Sequence, residues 1–126
     1  MGETRVRVKL YGIRGSKEIE ALVDTGATFT KVQESVAQEI GMDLKYDTTI
    51  EIADRRLVQR KLGLAEIEFN GIRRPVLVTV SPDTEEPLIG YTTLENLELK
   101  VNPVTRKLEK TKRIEHRMTQ SRLAIV

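Results

Sequence analysis

Seven residues near the N-terminus, Thr4-Arg5-Val6-Arg7-Val8-Lys9-Leu10, alternate polar and apolar side chains. In an extended chain a period of two puts every second side chain on one face, so the segment reads as a β-strand with one wet face. The same period returns over 48–53, where Ile50 and Ile52 share a side, breaks at Asp54-Arg55-Arg56, and resumes over 57–69. Together these runs predict a long hairpin. Asn70-Gly71 is the strongest short turn signal in the chain, and Val76-Leu77-Val78-Thr79-Val80 follows as a continuous apolar strand. Of the 35 Val, Ile and Leu residues, 22 are β-branched. Such side chains suit a pleated surface and lose rotamer freedom on a helix. A mostly β fold is expected.

Further short strands are predicted over 19–23 and 29–32. A helix is predicted over 33–40, with Val36, Ala37 and Ile40 on one face and Gly41 as its stop signal. Ser81 to Pro87 reads as a polar loop, and its acidic residues Asp83, Glu85 and Glu86 as solvated rather than cation-binding. A second brief helix is expected over 92–97, capped by Thr92 or Thr93, and a last strand over 101–108, broken by Pro103. No repeat or linker stands out. The architecture expected is a closed, barrel-like β unit with one or two short helices.

Composition removes several function classes. The 126 residues hold one domain. The absence of cysteine excludes a disulfide scaffold, a thiolate zinc site and a cysteine nucleophile. With one histidine, His116, which reads as a surface residue, a multi-histidine metal site is not expected; neither a metal nor a cofactor is called for. No apolar run approaches 20 residues and the N-terminus is polar, so a soluble, cytoplasmic protein with no membrane partner is expected. The net charge of +2 hides an asymmetry: residues 104–126 carry +5 and the rest −3. The tail lacks interleaved aromatics and long pure charge blocks, so it reads as a solvated segment, and nucleic acid is not expected as a partner.

The most informative stretch is Ala21-Leu22-Val23-Asp24-Thr25-Gly26-Ala27-Thr28. An apolar strand delivers the Asp24 carboxylate to its end. Gly26, two residues on, lets the chain turn sharply and lets a second chain approach closely. The Thr25 and Thr28 hydroxyls can bond back to nearby backbone. Such a loop holds a carboxylate rigidly at a cleft edge. Asp47-Thr48-Thr49 and Asp83-Thr84-Glu85 lack the glycine and the preceding strand, so the chain holds one loop of this kind.

This loop, the hairpin centred on 53–56, Leu88-Ile89-Gly90 and the helix signal behind it stand in the order and spacing of retroviral-type aspartic proteases, which the chain resembles over roughly residues 4–109. The resemblance implies a closed, barrel-like retropepsin fold acting as a homodimer, and an aspartic endopeptidase that hydrolyses peptide bonds with a water held between two carboxylates. A chain with one such loop supplies both only as a pair, one Asp24 from each copy. Its partners would be a second copy of itself and a peptide or unfolded-protein substrate.

Residue by residue, the resemblance makes Asp24 the catalytic carboxylate. Thr25 would hydrogen-bond across the dimer axis, and the Gly26 carbonyl would meet the substrate backbone. Ala27 and Thr28 would line the adjoining subsites. Ile52, Ala53 and Asp54 would cover the bound peptide from the flap tip. Leu88 would project toward the pocket, with Ile89 and Gly90 packed behind the loop. Two departures concern substrate choice more than the carboxylate pair. The flap tip has no glycine, and Tyr91 and Thr28 stand where retroviral enzymes carry arginine and aspartate. Residues 1–109 would form the protease domain and 110–126 a basic tail, whose apolar end, Leu123 to Val126, is a candidate dimer-interface strand. Two other readings stay open. One is a catalytically silent retropepsin-like module for peptide binding or dimerisation; the other is a nucleic-acid-associated protein using the tail.

Overall fold

The computed structural model describes residues 2–111; the proposed interface strand at 123–126, His116 and most of the basic tail lie outside the described residues. Nine strands and two helices follow in order among the described residues. Strands β1 (Arg5–Tyr11) and β2 (Ser16–Val23) pair antiparallel across the 12–15 turn. Strand β3 (Thr30–Gln33) leads directly into helix α1 (Glu34–Ile40). Strands β4 (Asp43–Glu51), β5 (Leu57–Phe69) and β6 (Ile72–Ser81) form a meander, and β7 (Leu88–Ile89) opens helix α2 (Tyr91–Asn96). A small hairpin of β8 (Leu99–Val101) and β9 (Leu108–Lys110) follows.

The main sheet runs β1-β2-β7-β3-β6-β5-β4, and β1 also pairs with β5, so six of its strands close into a ring. The closing contact sets Leu10 opposite Ile67, and both are fully buried. The expected mostly β, barrel-like unit is the fold observed. Register explains where the core sits. Val8 faces Ile19, and Val32 lies beside Val80, on the inward side. Val36, Ala37 and Ile40 of α1 and Leu94 of α2 are buried in that same core. The opposite parity forms a second surface. Leu22 pairs with Leu88, Leu88 with Lys31, Lys31 with Thr79, and Thr79 with Leu62, one row across five strands.

Asn70 and Gly71 both take positive φ, 52° and 81°, as the tight turn between β5 and β6 requires; asparagine and glycine tolerate it best. Helix α1 lies where its apolar face predicts. Its N-cap, Gln33, provides no side-chain bond. Asp83 of the loop before β7 accepts the Ser35 N–H at 3.0 Å in its place.

Three boundaries differ from expectation. Strand β4 starts at Asp43, five residues before its alternation becomes visible, and its register shifts between Asp43 and Tyr46. The shift breaks the period of two. The last strand is two, β8 and β9. The Asn102 carboxamide oxygen captures the N–H groups of Val104 and Thr105, at 2.8 and 3.0 Å, and turns the chain at Pro103. Helix α2 is capped by Gly90, not Thr92 or Thr93, because both hydroxyls are engaged with the 28–30 segment.

Two outcomes test this packing. Ile67→Ala should lower the unfolding free energy by about 2–5 kcal/mol, whereas Leu64→Ala, on the outer face of the same strand and half exposed, should change it by about 1 kcal/mol or less; urea titrations of both decide. The Ser35 N–H holds the Asp83 carboxyl below the usual carboxylate range. A folded pKa below the unfolded one means the unfolded chain binds the proton more readily. The stabilisation is therefore complete above about pH 4 and lost as acidification passes through the lowered value. Asp83→Asn should flatten the acid limb of stability measured by urea melts between about pH 6 and about pH 3; an unchanged slope would refute the capping role.

Candidate active-site groove

Asp24 is the first residue past β2, and its N–H donates to the Ile89 carbonyl at 2.9 Å. One carboxylate oxygen accepts the Gly26 N–H at 2.9 Å, and the Asp24 carbonyl accepts the Ala27 N–H at 3.1 Å. The loop is thus folded around its own carboxylate, which stays half-buried.

The same loop is clamped from behind. The first turn of any helix leaves backbone N–H groups without partners inside the helix. In α2, the Tyr91 N–H donates to the Ala27 carbonyl at 2.7 Å and the Thr92 N–H to the Thr28 carbonyl at 3.1 Å. The Thr92 hydroxyl adds a 2.8 Å bond to that carbonyl. Beneath it, the fully buried Thr30 hydroxyl accepts the Gly90 N–H at 3.1 Å and donates to Thr93 at 2.7 Å. Gly90 sits so close to Phe29 that an added Cβ would lie 2.4 Å from the Phe29 carbonyl group.

A groove of about 1110 Å³ opens between this loop and the β4–β5 hairpin. Asp24, Gly26, Ala27, Thr28 and Leu88 line one side; Ile52, Ala53 and Asp54 line the other. These expected positions are therefore brought together on one cavity. Thr25 is the exception. It is exposed, lies off the groove, and its hydroxyl has no hydrogen-bond partner among the described residues.

The hairpin tip turns without glycine, as its sequence requires. The Ile52 carbonyl accepts the Arg55 N–H at 2.8 Å, and Arg55 takes the left-handed conformation, φ 69°. That conformation carries a penalty for a residue with a Cβ. Asp54 offsets part of it by accepting both the Arg56 N–H, at 3.0 Å, and its Nε–H, at 2.7 Å.

Sequence reasoning missed the charged corner of the groove. Lys31 on β3 and Arg60 on β5 converge on Glu85, with Nζ···Oε1 of 3.0 Å and Nη2···Oε2 of 2.8 Å. Burial alone would push the Glu85 carboxyl up, but hydrogen bonding and charge from Lys31, then Arg60, outweigh it and hold the group below its ordinary range. The polar loop is accordingly ordered by its acids. Asp83 holds α1, Glu85 bridges two cations, and Glu86 pairs with Arg5. Among the described residues no group of three or more His, Cys, Asp or Glu could hold a metal ion.

A strand-end carboxylate in a pinned Asp-Thr-Gly loop, beneath a hairpin, on a closed β sheet, is the arrangement of the retroviral proteases. The EIAV protease, solved in complex with the inhibitor HBY-793, superposes with a TM-score of 0.59 at 18% identity, covering 76% of this chain and 88% of that one. The model of the gag-polyprotein putative aspartyl protease family matches residues 11–96, and the chain belongs to that family. No curated protein sequence matches it.

The clamp behind the loop gives a direct test. Gly90→Ala must push β7 and α2 off the Phe29 backbone, and should lower stability by about 1–3 kcal/mol. Amide exchange should rise at Ala27, Tyr91 and Thr92 beyond the global change. Uniform exchange would show that the clamp is not a unit.

Proposed function

We propose that the chain is an aspartic endopeptidase that works as a homodimer, with the catalytic pair made of Asp24 and the partner's Asp24. The observation that carries the reading is the placement of Asp24: an anchored carboxylate, at a strand end, lining a groove of about 1110 Å³. The family and the fold support it. The chain contains one such loop, and this hydrolysis needs two carboxylates. A two-fold axis beside Thr25 would supply the second, and the exposed Thr25 hydroxyl would bond across that axis. We assign the activity to residues 1–109, with 110–126 as an appended tail.

The chemistry then follows from sharing one proton. Two adjacent carboxylates resist double ionisation, so one holds a proton while the other does not. The ionised Asp24 takes a proton from water as the water oxygen attacks the peptide carbonyl carbon. The protonated partner gives its proton to the carbonyl oxygen, which forms a gem-diol. Transfer of a proton to the amide nitrogen breaks the C–N bond and releases a carboxylic acid and an amine. Gly26, Ala27, Thr28 and Leu88 would hold the peptide, and Ile52, Ala53 and Asp54 would cover it and exclude water.

Asp24→Asn should abolish cleavage of an unfolded protein while the sedimentation coefficient stays unchanged. Adding an equal amount of this variant to wild type, with subunit exchange, should reduce the activity to about half, because mixed pairs lack one carboxylate. Unreduced activity would rule out a shared pair. A wild-type dimer that cleaves nothing from mildly acid to neutral pH would leave a silent peptide-binding module as the reading.

A further inference from the structure

The hydrolytic scheme makes no use of the charged corner. Lys31 and Arg60 lie on the groove wall with side chains only 20% and 13% exposed, and both lean on the single carboxylate of Glu85. Among the described residues neither has a second ion-pair partner. The corner therefore carries one uncompensated positive charge where water is already partly excluded. A guanidinium offers five donors and an ammonium three; one of each reaches Glu85. Two other acids on the groove are engaged elsewhere, Glu86 with Arg5 and Asp54 with Arg56. Glu51 is exposed on the hairpin, and Asp24 belongs to the reaction.

Sheet geometry sets the distance. Lys31 pairs with Leu88, which pairs with Leu22 at the end of the strand that delivers Asp24. Two strand spacings are about 10 Å, and an extended peptide advances about 3.3 Å per residue. The corner thus lies two or three residues along a bound peptide from the reacting bond.

We infer that Lys31 and Arg60 select peptides with an Asp or Glu side chain two or three residues from the cleaved bond. This rests on the peptidase reading of the groove. An incoming carboxylate completes a two-cation, two-anion cluster and takes donors that Glu85 leaves open. A Gln at that place leaves a half-buried cation unpaired, and a Lys or Arg meets like charge. Glu85 acts as the internal competitor: it holds both cations in place and limits how strongly they attract.

The test separates this selection from catalysis. Peptides centred on a statine residue, whose hydroxyl stands where the attacking water would add, are made in pairs with Glu or Gln at each of three positions on either side. Their binding to the full-length chain is measured by fluorescence anisotropy. Wild type should bind the Glu member about ten-fold tighter in at least one pair varied at the second or third position, and Asp24→Asn should keep that ratio; a preference confined to the first position overturns the inference. Lys31→Met and Arg60→Met should each bring it near one, chiefly by weakening the Glu member, and Glu85→Gln should widen it. Equal binding of Glu and Gln at every position, or a ratio that survives both Met variants, overturns the inference. Binding of no member overturns it together with the peptidase reading. Cleavage of the matching substrates is scored in parallel: a Glu preference without cleavage removes the peptidase reading alone, and cleavage without a preference removes the selection alone.

Discussion

The loop that carries Asp24 is held by backbone groups that have no other place to go. Helix α2 starts with N–H donors that its own turns cannot satisfy, and the 24–28 loop offers carbonyls that no strand partner takes. They meet at Ala27–Tyr91 and Thr28–Thr92, so one set of bonds caps the helix and shapes the loop. The Asp24 N–H on the Ile89 carbonyl extends the exchange to β7. Because buried backbone groups are costly to leave unpaired, the loop and the helix are fixed together. Gly90 is the point where this works, since any larger residue would hold the two segments apart.

The rest of the sheet follows from parity. Closing β1 onto β5 through Leu10 and Ile67 places one set of alternate residues inside. The other set, running Leu22, Leu88, Lys31, Thr79 and Leu62 across the strands, is left to build a surface. Along this row the groove meets apolar Leu88 next to the Asp24 strand and the cation Lys31 one strand farther out. One sheet therefore supplies a core on one side and part of the groove wall on the other, with Glu85 and Glu86 added from the 82–87 loop.

The 82–87 loop illustrates how charge orders a segment that looks featureless. Asp83 satisfies a helix N–H, Glu85 joins Lys31 to Arg60, and Glu86 pairs with Arg5. Gln33 adds two bonds to the loop's carbonyls, at Asp83 and Glu85. Surface ion pairs are individually weak, but Lys31 and Arg60 are mostly shielded, and a shared carboxylate there fixes the loop against β3 and β5.

Much of this was legible from local pattern. The alternation at 4–10 and 57–69, the Asn70-Gly71 turn, the apolar face of α1 and the Asp-Thr-Gly loop each obey rules that act within a few residues, where chain geometry leaves little choice. Asp24 and its glycine were legible that way, whereas Ala27, Thr28, Ile52, Ala53, Asp54 and Leu88 were named through the resemblance to retroviral-type proteases, not from local pattern. The start of β4 was hidden because its register shift breaks the period of two. The split of 101–108 was hidden because Asn102, a side chain, took over backbone bonds. The cap of α2 and the Lys31–Glu85–Arg60 corner depend on segments 25 to 65 residues apart in the chain. What the sequence alone determined is which residues can be strands, turns and a presented carboxylate, since those follow from short-range sterics and hydrogen bonding. Only the tertiary structure decided which strands became neighbours, and so which charges share the groove, because that depends on the closure of the whole sheet.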